Sequence, residues 1–258
     1  MYPIMLQFLG YISEPLMSTI GILKIKSNVI ALLTYIMDLI KCIPFTSWVR
    51  SKSYSQFWED RLIERLIDNN IGSYVDVGAG TPIWGSNTFL FYLSGWRGVT
   101  IDPIKTNFNL QRTLRKKDTQ YLSIVSSKQK ESDFYQLYPW ELSTTDKEVA
   151  LHRISSGAKL ISQRNVDAVT LQEIYNYHPM KRPSILSIDV EGSELDVLQS
   201  NNWEKFKPDV ICIEELRNPY FESPIREYLE FIDYSLVVYN GVSAIYVWNE
   251  SINLIAND

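Results

Sequence analysis

The chain has 258 residues, 45% of them hydrophobic and 21% charged, which is enough to bury a sizeable core and excludes disorder as its main description. Thirty acidic against 25 basic side chains leave a formal charge of -5, without the basic footprint a phosphate backbone requires, so no nucleic acid partner is expected. Cys42, Cys212, His152 and His178 assemble neither a disulfide framework nor a Cys/His zinc site, and the compartment expected is reducing and cytoplasmic.

Residues 1–50 carry only Glu14, Lys24, Lys26, Asp38, Lys41 and Arg50 as charges among many Leu, Ile and Met. A spanning helix wants roughly 20 apolar residues in a row. The best run, Val29 to Met37, is closed by Asp38, so no transmembrane helix is expected, nor is the pattern of a secretory leader present. The reading is an apolar helical extension, residues 1–50, packed on the domain or on a partner; the alternative is an interfacial helix that rests on a membrane.

From Tyr54 the pattern alternates β-branched runs with amphipathic stretches, the sign of an α/β domain, residues 51–258, with a largely parallel sheet. A helix is expected over Trp58 to Ile67. Strands are expected at Tyr74 to Val77, Gly98 to Ile101, Tyr121 to Val125, Ile185 to Ile188 and Val210 to Ile213, with helices at Asn87 to Leu93, Lys105 to Arg115 and Glu194 to Ser200. Tyr234 to Tyr239 and Ser243 to Trp248 around Asn240-Gly241 read as a hairpin. Lys128 to Val166, polar and weakly periodic, reads as an insertion that could form a lid. Arg112, Arg115, Lys116 and Lys117 read as a solvated helix end, and His178 before Pro179 as a loop residue.

Three segments carry chemistry. Tyr74-Val75-Asp76-Val77-Gly78-Ala79-Gly80 is a buried strand that ends in an acid and turns through two glycines, so backbone can approach a ligand without a Cβ in the way. A dinucleotide fingerprint needs glycine where Ile83 stands, which disfavours a nicotinamide oxidoreductase. S-adenosylmethionine fits better, with Asp76 on its ammonium side and Asp102, at the next strand end, on the ribose hydroxyls. Ile185 to Glu194 runs an apolar strand into Asp189, Glu191 and Glu194; Asp189 and Glu191, two apart, face one cavity as a general base or as ligands for a hard divalent cation. Glu214 and Glu215 end the next strand, where only one of them can face that cavity.

These residues resemble the FkbM-type S-adenosylmethionine-dependent methyltransferases. The resemblance is carried by YSQFWEDRLIERL from Tyr54, YVDVGAGTPIWGSNTFLFYLSGWRGVTIDP from Tyr74, and SILSIDVEGSELDVLQSNNWEKFKPDVICIEE from Ser184, with echoes from Asp133 and Val166. It implies a class I methyltransferase fold, Rossmann-like, with a mostly parallel seven-stranded sheet and a C-terminal antiparallel hairpin. It also implies cofactor contacts at Asp76, Gly78 and Asp102, an acidic motif after the fourth strand that holds Asp189 and Glu191, and O-methylation of a sugar, glycolipid or related natural product. Gly80 and Asp189 are expected at the cofactor as well, and Asp189, with Glu191 as orienting partner or metal co-ligand, is expected to take the acceptor's proton. The rival is a scaffold protein, without catalysis, that keeps the fold and docks to a membrane or assembly through residues 1–50.

Overall fold

The structure, a computed structural model, describes residues 53–67, 70–128, 130–215 and 222–251, so the extension expected at 1–50 lies outside the described residues. Within them, no helix is long and apolar enough to cross a membrane.

Seven described strands form one sheet. In chain order they are β1 (Ser73–Val77), β2 (Arg97–Ile101), β3 (Thr119–Tyr121), β7 (Ser184–Ile188), β8 (Val210–Glu214), β9 (Tyr234–Tyr239) and β10 (Ser243–Trp248), and across the sheet they run β3-β2-β1-β7-β8-β10-β9. Every pairing from β3 to β8 is parallel, whereas β10 is antiparallel to both β8 and β9. This is the mostly parallel sheet with a closing hairpin that the sequence predicts. β1, β7 and β8 are buried along almost their whole length, which is why they read as unbroken apolar runs. Asn240 fixes the hairpin turn, since its Oδ1 accepts from the backbone N–H of Val242 and Ser243 at 3.0 and 2.7 Å.

Helices pack on both faces. Phe91 and Trp96, after α2 (Phe89–Leu93) begins, join Tyr74, Ile185, Val210 and Ile245 on one face together with Ile63 of α1 (Glu59–Glu64). On the other face Leu171, Ile174 and Tyr175 of α5 (Leu171–Tyr177), Val197 and Leu198 of α6 (Glu194–Gln199), and Leu229 of α7 (Pro224–Phe231) cover Val75, Leu186 and Ile211. Local signals set these helix starts: Thr170 and Glu173 form a capping box, and Ser223 caps α7 with Pro224 in its first turn. α1 starts one residue later than expected because Trp58 sits at φ 71 and cannot belong to a right-handed helix, and it ends at Glu64, short of Ile67. Glu59 then locks the segment, accepting from Asn240 Nδ2 at 2.8 Å and Ser243 Oγ at 3.0 Å across the hairpin turn.

Two expectations are corrected. Tyr121 to Val125 is not one strand: β3 ends at Tyr121, and β4 (Ile124–Val125) leaves the main sheet for a second one of order β4-β6-β5. That second sheet is the insertion, an antiparallel pair of β5 (Glu131–Tyr138) and β6 (Lys159–Val169) joined by a 3-10 turn, Trp140–Leu142, and α4 (Lys147–Ser155). Arg115, expected on a solvated face, closes α3 (Lys105–Leu114) and is wholly buried.

Candidate active site

Strand register builds the site. Val77 pairs with Ile101 on one side and Ile188 on the other, so the residues that follow, Gly78, Asp102 and Asp189, lie side by side on the rim at the carboxyl ends of three adjacent strands. With neighbouring strands about 4.8 Å apart, the two acids flank the glycine turn at a backbone separation of about 10 Å. The chain crosses this rim tightly. Gly78 and Ala79 donate to Ile101 O, and Asp189 N donates to Val77 O. Gly78 sits at φ 77, and a Cβ there would fall on the Asp189 carbonyl oxygen. Only glycine lets the two loops meet.

Asp102 binds that turn to α3. Its buried carboxylate accepts from Gly80 N at 2.9 Å, Ile104 N at 2.6 Å and Asn107 Nδ2 at 3.2 Å. Burial pushes its pKa up to about 7 against those three donors. Gln111 Nε2 donates to the carbonyls of Ala79 and Gly80, while Gln111 Oε1 is buried with no partner.

Asp76 lies one layer below the rim, paired with Thr100 and Ser187, and its carboxylate turns inward. It accepts from Thr88 Oγ1 at 2.5 Å, with the Arg115 guanidinium 3.9 Å away. Arg115 in turn donates to Asp118 at 2.8 Å, Thr88 Oγ1 at 2.9 Å and Ser86 Oγ at 3.3 Å, and lies over the Tyr74 ring. Burial raises the Asp76 pKa, which Arg115 and the hydroxyls of Thr88 and Ser187 offset in part. Asp76 is thus tied by its carboxylate to Thr88 and Arg115.

On the other flank stands an acidic trio. Asp189, Glu191 and Glu214 bring carboxylate oxygens within 4.8 Å of one another. Cys212 pairs with Ser187, so two residues on Glu214 and Asp189 share a level and a face. Glu215 faces away, where it accepts from Ser223 Oγ and from Tyr246 Oη. Asp189 is exposed at the mouth of the site but enclosed by protein elsewhere; that enclosure, then the charges of Glu191 and Glu194, push its pKa up to about 8. Glu214 rises to about 9, through burial first and Asp189 second. The protons belong to the pair, and close carboxylates cannot all ionise at neutral pH.

The insertion reaches both flanks, which sequence reasoning missed. Arg153 of α4 pairs with Glu191 at 2.5 Å and donates to Leu142 O at 2.9 Å, and Thr144 Oγ1 donates to Glu191 O at 2.9 Å. The Trp140 indole lies on Gly80: a Cβ at Gly80 would come 2.9 and 3.2 Å from two of its ring carbons. Nothing in a polar stretch of single Arg and Trp residues announces such contacts. His178 pairs with Tyr121 Oη at 2.8 Å and with none of the carboxylates.

A glycine turn, the buried Asp102 carboxylate bonded to it and an unpartnered buried amide oxygen beside it match the donor set of an adenosyl-type site, while the Cβ directions of Gly78 and Gly80 are taken up by Asp189 O and the Trp140 indole. The family model of the methyltransferase FkbM domain matches residues 76–236. No curated protein matches the chain. Among solved structures, monomeric WbdD is similar at 12% identity over 80% of this chain and 45% of that one, with a TM-score of 0.42, so the chain spans just under half of WbdD. A methyltransferase from Geobacter sulfurreducens is similar at 13% identity over 86% of this chain and 96% of that one, with a TM-score of 0.40. At such scores the fold rests on the strand order itself.

Proposed function

The chain belongs to the FkbM methyltransferase family, and from that premise we propose that it transfers the methyl of S-adenosylmethionine to a hydroxyl of a sugar, glycolipid or related natural product. The observation that carries this reading is Asp189: a solvent-reachable carboxylate of raised proton affinity, beside the glycine turn and grouped with Glu191 and Glu214.

S-adenosylmethionine, which the family implies, supplies an activated methyl on a sulfonium. Gly78 and Gly80 bring bare backbone to the rim, Asp102 would accept its ribose hydroxyls, and Asp76 is tied to Thr88 and Arg115 one layer below. A glycan or small-molecule hydroxyl is a weak nucleophile near neutral pH, so a base must take its proton as the new bond forms. Asp189 takes that proton at a carboxylate oxygen. Burial raises the Glu191 pKa, and Arg153 offsets that in part by its ion pair beside Asp189. The raised affinity of the pair suits the task, because a base is most useful with a pKa near the working pH. A divalent cation held by Asp189, Glu191 and Glu214 is the other chemistry open to this trio, and it would deprotonate all three.

The expected result is that Asp189→Asn abolishes turnover but leaves cofactor affinity by calorimetry within a few-fold. The substrate is labelled S-adenosylmethionine, offered with a cell extract split into lipid, glycan and small-molecule fractions, with and without chelator. Surviving activity in the variant would sink the base assignment, and loss with chelator would move the trio to metal binding. The indole over Gly80 is the one observation that favours the scaffold reading.

A further inference from the structure

Trp140 holds the space that any ligand bridging Gly80 and Asp102 must enter. With a Cβ position on Gly80 only 2.9 Å from the indole, nothing larger than hydrogen fits between ring and turn. Gly80 N is itself bonded to Asp102, so the ring covers the junction of the two. The indole also packs against the apolar cluster of Ile104, Ile124, Phe134 and Val166, which joins the chain just past Asp102 to the insertion.

The hydrogen bonds that hold the Trp140 turn stay inside the insertion. Leu142 N donates to Pro139 O, Ser143 N and Ser143 Oγ both donate to Trp140 O, Leu137 N donates to Ser143 Oγ, and Arg153 Nη1 donates to Leu142 O. Lifting the ring from Gly80 breaks none of them. It gives up apolar contact on a side chain that is already half exposed. The insertion is anchored to the rim just beyond this turn, through Thr144 and Arg153 on Glu191 and Thr145 on Ser193, so the turn with its aromatic wedge has a fixed point about which to swing.

We infer that Trp140 is the gate of the cofactor crevice: the turn lifts to admit S-adenosylmethionine, and the indole then closes over the bound adenosyl group. This rests on the reading of the glycine turn as the cofactor cradle. A gate limits entry and exit alike, so its removal speeds both rates; a mere platform affects exit alone.

The test measures association and dissociation of S-adenosylhomocysteine on the immobilised full chain by surface plasmon resonance. Trp140→Ala is expected to raise both rates by about tenfold with little change in their ratio, while Trp140→Phe stays within about threefold of the parent. Binding by Trp140→Ala where the parent shows none would support the gate as well. Unchanged association in a folded Trp140→Ala protein, or faster dissociation alone, overturns it. Should Trp140→Ala fail to fold, Ser143→Ala, which loosens the same turn, decides by the same two rates. No binding by any folded variant would instead remove the cofactor reading on which the gate depends.

Discussion

Replacement of Arg115 by leucine tests whether the ion network under the glycine turn holds the fold. The side chain is wholly buried, and among the described residues it is the one cation paired with the carboxylates of Asp118 and Asp76, whose side chains are 0% and 5% exposed. Leucine fills much of the volume but leaves two buried carboxylates without their cation and removes donors to Ser86 and Thr88. Breaking a buried pair from one side costs about 3–5 kcal/mol, because the remaining charge stays desolvated. At about 2–4 °C per kcal/mol for a domain of this size, the melting temperature should fall by about 6–20 °C. The assay is thermal unfolding of the full chain, followed by far-ultraviolet circular dichroism. Arg115→Lys should lose less, since the charge remains while the planar fork is gone. A fall of less than about 2–4 °C for Arg115→Leu, worth about 1 kcal/mol, would refute the claim that the network holds the fold.

Proton linkage at the rim gives a second expectation. Asp189 and Glu214, pushed up to about 8 and about 9, and Asp102, up to about 7, hold protons in the folded chain at pH values where an unfolded carboxyl has lost them. Stability should therefore fall as pH rises from about 5 to 8, and Asp189→Asn should flatten that slope; a melting temperature that rises over this range in chelated buffer contradicts it. Gly78→Ala must place a Cβ on the Asp189 carbonyl at a φ that costs a non-glycine residue about 1–2 kcal/mol before any clash, so both melting temperature and cofactor affinity should drop, and a variant matching the parent in both would refute the close-approach argument. Hydrogen exchange in β5, β6 and α4 should slow when acceptor is added, if the insertion serves as a lid; unchanged protection there removes that role.

The central strands were legible because burial on both faces writes them as unbroken Val and Ile runs, and the acids that follow them are placed by register alone. Strand parity also requires Glu214 and Glu215 to part, and Glu214 is the one that joins the trio while Glu215 turns to Tyr246. The insertion was illegible for the opposite reason. β5 and β6 are mostly exposed or half-buried, so no alternation of apolar residues marks them. Arg115 misled because charge at a helix end ordinarily means solvent, and only the fold shows Asp118, three residues on, turning back to meet it. Trp140 and Arg153 act through contacts 60 and 38 positions away in sequence, to Gly80 and Glu191, which no local pattern encodes.

The position of β10 bears on how the molecule comes into being during synthesis. The strand is threaded between β8 and β9, and Ala244 to Val247 are fully enclosed there. A nascent chain that has emerged as far as Tyr239 therefore owns six of the seven strands yet has β8 as a raw edge and β9 with no neighbour to bond. Until the following residues leave the ribosome, that edge is open to mispairing with any extended segment nearby, the hazard that unpaired strands bring to slow parallel folds. A frameshift or stop codon between Glu215 and Ser243 should yield an insoluble product, even though every residue of the rim would already have been translated.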